Sequence, residues 1–407
     1  MRKSNLKKNF IWNTLGVATF SLTSLLYTII LMRFYTLKMT GIFSFGFTLA
    51  CTTTALAALG GRTYQVTDVK NELSTFTYII SKIFTVSSVI LFVLIFLLFR
   101  NYSFEKSIIV FLLCIFKYLE EISDVFYGIM QKDDKLYYVG VIQFIKSVLN
   151  VLSFLLTTLL FKNLIVSVLS ITIVNLLFLL AIEIPIAKKV HKWNYSTNRK
   201  EIIKYFRVNT IICLFTFLTL CLSNAPKYAI DVYLSDEIQA VFGIIIMPAT
   251  VMILVCNFIT NPILIEIATL YNDKEMANIF KLFKKILLVI FSIGIVGLIG
   301  TFFFGIPFLN IIYSSNFNQY RVNLMIIIIG SIFYAISMIC SSFLTAVRKI
   351  LIQLHMNIIF TILSFIISFL FVKKFGITGG AISYLLIMMI RMIIYMIVTL
   401  KKLKSER

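Results

Sequence analysis

The sequence predicts an all-α membrane protein of about twelve transmembrane helices, divided into two six-helix bundles. Three observations lead there. Of the 407 residues, 60% are hydrophobic and only 14% charged, against about 25% charged for a soluble domain. The apolar residues fall into runs that approach or exceed the roughly 20 residues a helix needs to cross the hydrocarbon core. The polar residues sit mostly in short connections between those runs, because unpaired backbone groups cannot be tolerated in lipid.

Taken in order, the first span, Phe10 to Met32, follows a basic stretch like that of a signal peptide. It is long enough to cross and lacks a clear small-residue cleavage site, so it is expected to be retained. Gly41 to Leu59, Tyr78 to Phe99, Ser107 to Met130, Leu136 to Phe161 and Leu164 to Ala187 complete the first half. The longest polar connection, Lys188 to Lys204, contains His191, Trp193 and Asn194. Beyond it come Arg207 to Tyr228, Ile238 to Leu264, Ile286 to Phe308, Val322 to Val347, Ile350 to Val372 and Gly376 to Leu400. The expected lobes are residues 1–195 and 196–407. Cys51, Cys114, Cys213, Cys221, Cys256 and Cys340 all fall within apolar runs and form no Cys-x-x-Cys pair. They read as small core residues rather than a disulfide framework or a zinc cluster.

The formal charge is +21, yet the basic residues cluster at the ends of spans rather than along one soluble domain. Topology accounts for them better than nucleic-acid binding does. With the N-terminus inside, the inner connections hold twenty-five Lys and Arg and the outer ones nine. The positive-inside rule therefore places both termini in the cytoplasm. Six helices per half give the two lobes one orientation, as in repeats related by an axis along the membrane normal. Arg33–Phe45 and Asp231–Gly243, which follow helices one and seven, share a faint aromatic and small-residue rhythm.

Ionisable groups at membrane depth are costly and mark pathways or partners. In KYLEEISDVFYG, Lys117 to Gly128, the residues Lys117, Glu120, Glu121 and Asp124 recur at spacings of three and four, one face of a helix. Two readings stand. Either Lys117 pairs with Glu121 and the other acids are solvated near the cytoplasmic end, or the stripe lines a cavity. In the second case Glu120 and Asp124 are candidate proton or sodium sites and Lys117 an anion contact. Lys82 lies near enough to its helix end to snorkel, whereas Lys146 and Arg391 are deeper and equally open to cavity exposure. In SNAPKYAIDVYLSDE, Ser223 to Glu237, Pro226 weakens helix seven beside Lys227 and Asp231; Pro248 and Pro262 interrupt helix eight. The candidate substrate contacts are thus Lys117, Lys146, Lys227 and Arg391, and the candidate ion-coupling residues Glu120, Asp124 and Asp231.

The sequence has no G-x-x-x-x-G-K-[ST] phosphate loop, no zinc spacing around His191 or His355, and no nucleophile elbow. No metal or other cofactor is expected, and the chain does not read as an enzyme. The twelve spans together with KYLEEISDVFYGIMQ (Lys117–Gln131), PKYAIDVYLSDEIQAVFG (Pro226–Gly243), IMPATV (Ile246–Val251) and FGIPFLNIIYSSNF (Phe304–Phe317) resemble the polysaccharide flippases of O-antigen and capsule repeat units. These belong to the multidrug, oligosaccharidyl-lipid and polysaccharide exporter superfamily.

That resemblance implies a MATE-like, V-shaped pair of bundles around a central cavity in the bacterial cytoplasmic membrane. It implies a substrate, an undecaprenyl pyrophosphate-linked oligosaccharide, moved by ion-coupled alternating access while its lipid tail stays among the membrane lipids. A polysaccharide polymerase and a chain-length regulator are further implied partners, and nucleic acid is not. Two rivals remain: a drug or metabolite antiporter of the same architecture, and a membrane polysaccharide polymerase. The second would need a substantial outer loop carrying acids or basic clusters, and the first outer loop, Arg33 to Thr40, holds no Asp or Glu.

Overall fold

The computed structural model describes residues 2–405 apart from 69–71, 192, 194 and 274, so Asn194 of the polar connection lies outside the described residues. Side chains at 2–6, 257–265, 268, 272 and 404–405, that of Pro262 among them, likewise lie outside the description. The helices are α1 (Arg2–Phe34), α2 (Leu37–Ala58), α3 (Gly61–Thr67), α4 (Thr75–Phe99), α5 (Phe104–Lys132), α6 (Leu136–Phe161), α7 (Leu164–Phe178) and α8 (Ile184–Val190). They continue as α9 (Arg199–Tyr233), α10 (Asp236–Ile245), α11 (Met247–Asn272), α12 (Met276–Gly300), α13 (Ile306–Tyr313), α14 (Arg321–Ala346) and α15 (Ile350–Ser405). Among the described residues there is no strand.

Among the described residues, ten segments are long and apolar enough to cross a membrane. One of them, Ile350–Leu403, holds two of the expected spans, broken at Gly376 in a left-handed conformation (φ 59°). The 29-residue α5 is the remaining expected span; its apolarity is diluted by the charged stripe. The chain is a multi-pass, all-helical membrane protein whose apolar helices fall where the sequence places its spans. Expected span eight is two helices, α10 and α11, that break at Ile246 just before Pro248, which starts α11 in its first turn. The short α3 after Leu59 was not expected.

Two compact units are present, Met1–Phe217 and Leu218–Arg407, which meet within α9. Helix starts in the first unit are capped by short oxygen side chains that satisfy free N–H groups: Thr36 for α2, Ser74 for α4, Ser103 for α5 and Asn163 for α7. α1 packs along α6 with backbones nearly touching at Gly16 and Gly140, where a Cβ on Gly140 would lie 2.2 Å from Trp12 backbone atoms. Such small-residue crossings replace the hydrophobic drive that is missing between helices in lipid. Beside this seam Tyr27 meets Phe43, Phe116 and Phe154 at ring distances of 6.1, 6.4 and 4.9 Å.

Prolines shape both units. A π-helical turn, Leu179–Glu183, precedes Pro185, and a second, Thr301–Gly305, precedes Pro307. Proline offers no N–H to the preceding turn, and a widened turn is one way a helix absorbs that loss. In the second unit α9 runs through Pro226 without ending. The carbonyl of Leu222, which position 226 cannot serve, accepts instead from Ser364 Oγ of α15 at 2.8 Å.

Candidate functional site

Four helices of the first unit build a charged cluster on α5. Lys117 Nζ lies 2.7 Å from Glu120 Oε2, one turn on. It also stands over the rings of Phe20 of α1 and Phe47 of α2, at 5.1 and 4.9 Å. The sequence offered Glu121 as its partner, but Glu121 is taken by Lys82 of α4 at 3.0 Å. Lys82 does not snorkel. It is 2% exposed and donates also to the carbonyls of Ala57 and Ala58. Those carbonyls end α2 and have no intrahelical N–H to accept from; a cation is well placed there. Thr85 Oγ1 and Tyr205 OH complete the cover by donating to the carbonyls of Ala57 and Leu59.

Asp124 accepts the backbone N–H of Arg62 at 3.1 Å, and no cation forms an ion pair with it among the described residues. The Arg62 guanidinium turns instead to Gln131. Deeper in the unit, Lys146 Nζ of α6 donates to Glu183 Oε1 at 2.9 Å and to Ser123 Oγ at 3.1 Å. The Tyr127 hydroxyl donates to the same Glu183 oxygen at 2.7 Å. Glu183, fully buried, closes the π-helical turn before Pro185. Its second oxygen, Oε2, has no hydrogen-bond partner among the described residues.

Two cavities open on this cluster. One, of about 160 Å³, is bordered by Phe20, Glu120, Glu121, Asp124, Tyr127 and Lys146. The other, of about 680 Å³, is bordered by Gly61, Arg62, Glu121, Asp124, Gln131 and Thr216. Glu121 and Asp124 face both. The arrangement can hold an anion against a lysine whose present partner is a carboxylate, and can exchange ions or protons at the carboxylates.

Of the residues singled out in the sequence, Lys117, Glu120, Asp124 and Lys146 come together in the first unit. Lys227 and Asp231 lie one turn apart, half-buried, on the part of α9 that belongs to the second unit. Arg391 of α15 belongs to that unit too. It is 1% exposed, stacked against Tyr334 and Tyr395 at 5.0 and 5.2 Å. Its Nε and Nη1 have no hydrogen-bond partner among the described residues. Glu183, Ser123, Tyr127 and Arg62 escaped the sequence reading. For Glu183 the signal was present: it is the only acid in its span, two residues before a proline.

No protein-family model matches the chain. The capsular polysaccharide biosynthesis protein CapF of Staphylococcus aureus is 21% identical over 288 residues, 70% of this chain and 73% of that protein. Among solved structures, an inward-facing multidrug resistance MATE family transporter of the MOP superfamily is similar with a TM-score of 0.65 and 12% identity, over 97% of this chain and 94% of that one. A mutant Vibrio cholerae MATE transporter is similar with a TM-score of 0.63 and 15% identity, over 99% and 98%. The fold is therefore MATE-like along its whole length.

Proposed function

We propose that this chain is a flippase that carries an undecaprenyl pyrophosphate-linked oligosaccharide from the inner to the outer leaflet of the cytoplasmic membrane, for capsule or O-antigen assembly. The observation that carries the reading is Lys146: a lysine buried in a transporter fold, bordering a cavity, whose partners are groups an anionic ligand can replace. A pyrophosphate and its sugars cannot enter hydrocarbon bare, and charge-assisted hydrogen bonds from such lysines replace lost water. The likeness to CapF supports a capsule substrate. Reversible release favours distributed contacts over one clamp, and Lys117 and Lys146 in the first unit with Lys227 and Arg391 in the second are such contacts. Glu120, Asp124 and Asp231 are the groups through which an ion gradient drives turnover, with both termini cytoplasmic.

A second reading has its own observation. Glu121 and Asp124 border both cavities, and an acid-lined cavity suits a cationic drug or metabolite, so an antiporter of the same fold is the alternative. A deletion strain separates the two. The flippase reading expects lipid-linked repeat units to accumulate on the inner leaflet and surface glycan to fall, with unchanged resistance to cationic drugs. Normal glycan together with increased drug retention supports the antiporter instead.

A further inference from the structure

The Lys146–Glu183 pair sits off the charged stripe of α5, and no reading above uses its carboxylate. Both side chains are almost wholly out of water. Glu183 Oε1 takes two donors, Lys146 and Tyr127, while Oε2 takes none among the described residues. Only Lys146 and Tyr127 of this trio border the 160 Å³ cavity, which is large enough for several waters. Glu183 is thus behind its partners, reached from the cavity through them.

We propose that an anionic ligand entering this cavity takes Lys146 away from Glu183, and that Glu183 then takes up one proton, so that ligand binding and proton uptake are a single coupled event. The inference rests on Lys146 being an anion contact, as in the flippase reading. The balance is simple. In the empty site lysine +1 and carboxylate −1 cancel. When the ligand's phosphate oxygens bind the ammonium, the carboxylate is left unpaired in a dry pocket, where a lone charge is strongly disfavoured. A proton from the cavity water restores neutrality, and Tyr127 keeps its own proton as a donor. The groups facing Glu183 support this direction. α5 presents Tyr127, which donates to Glu183, and its acids Glu120, Glu121 and Asp124 border the same cavity as Lys146. α6 presents Lys146 alone. On its own segment the nearest cations, Lys188 and Lys189, lie in the last turn of α8 and form no ion pair with it. Among the described residues no other cation forms an ion pair with Glu183. The π-helical turn supplies the play: a backbone that has already departed from α geometry at Glu183 accommodates a side-chain shift more readily than a regular helix.

The test uses the full chain in lipid nanodiscs and a water-soluble isoprenyl pyrophosphoryl sugar, a pyrophosphate diester whose charge is constant between about pH 5.5 and 8.5. Its Kd is measured calorimetrically across that range, in two buffers of different ionisation heat. Coupled uptake of one proton weakens binding as pH rises, by up to about tenfold per unit, and gives buffer-dependent heats. Glu183→Gln is expected to bind with a Kd independent of pH, no proton uptake and higher affinity, since the carboxylate no longer competes for Lys146. A flat Kd in the wild-type protein overturns the coupling, and needs no variant. The same slope in Glu183→Gln assigns the proton elsewhere and also overturns it, while leaving the flippase reading standing. Absence of binding in the wild-type protein removes the anion contact itself and takes both readings down.

Discussion

At the scale of single residues, the structure turns on polar groups that satisfy one another inside an apolar body. Lys82 illustrates the stakes. Removing it leaves Glu121 without its cation and the Ala58 carbonyl without its donor, while the Ala57 carbonyl keeps Thr85 Oγ1, so Lys82→Ala is expected to destabilise by about 3 kcal/mol, as for broken buried pairs. Thermal unfolding in detergent checks this, and adding Glu121→Gln should recover part of the loss; no recovery would mean that the ion pair is not the source. Ser364 makes a finer case. Ser364→Ala should cost about 1–2 kcal/mol by leaving the Leu222 carbonyl unpaired. In a Pro226→Ala background, where residue 226 again supplies an N–H, the same change should cost almost nothing. Equal losses in both backgrounds would contradict the account of how α9 passes through its proline.

Outside the spans, Asp68 couples folding to pH. Burial raises its carboxyl, but N–H groups of Glu72 and Leu73, the Tyr78 hydroxyl and Lys132 outweigh burial and hold it below the usual range. A depressed group contributes stability that is present at neutral pH and is lost as pH falls through its folded-state value. The wild-type protein should therefore lose stability below about pH 4 with a steeper profile than Asp68→Asn. Parallel acid profiles for the two would refute the role.

At the scale of elements, the packing seams make opposite forecasts for two glycines. Gly140→Val should prevent α1 from docking on α6, because even a Cβ meets Trp12 backbone atoms, and ordinary overpacking already costs about 1–3 kcal/mol. Gly300 has nothing within 4 Å of such a Cβ, so Gly300→Ala should be neutral or stabilising by about 0.5–1 kcal/mol. Unfolding temperatures of both variants decide it. The elements themselves were largely legible in the sequence, since span length and apolarity are set by the bilayer; the break at Gly376 and the interruption before Pro248 followed from backbone chemistry. Partner choice was not legible. Helical spacing puts Lys117 within reach of both Glu120 and Glu121, and only packing brings Lys82 across from α4 to claim Glu121. The buried Lys82 looked free to snorkel because sequence shows distance from a helix end, not the carbonyls of a neighbouring helix waiting there. The π-helical turn at Glu183 was similarly hidden: Pro185 announces a disturbance, not its form.

At the scale of the whole molecule, the apolar helices take a MATE-like fold, and the cluster in the first unit provides chemistry that is half cationic and half acidic. That mixture is why fold similarity alone leaves two cargoes open. On the proposed flippase reading, charge removal should not act uniformly: losing Lys146 would remove the proposed anion contact, whereas losing Asp124 would leave the lysines in place and alter the proposed ion coupling. The most direct measurement is transfer of a labelled undecaprenyl pyrophosphate-linked repeat unit, of the host's own sugar composition, to the lumenal leaflet of inverted membrane vesicles with and without the chain. The account predicts chain-dependent transfer that falls at least about tenfold in Lys146→Ala at normal protein level. No chain-dependent transfer, with the lipid-linked sugar intact and the ion gradient maintained, would contradict it.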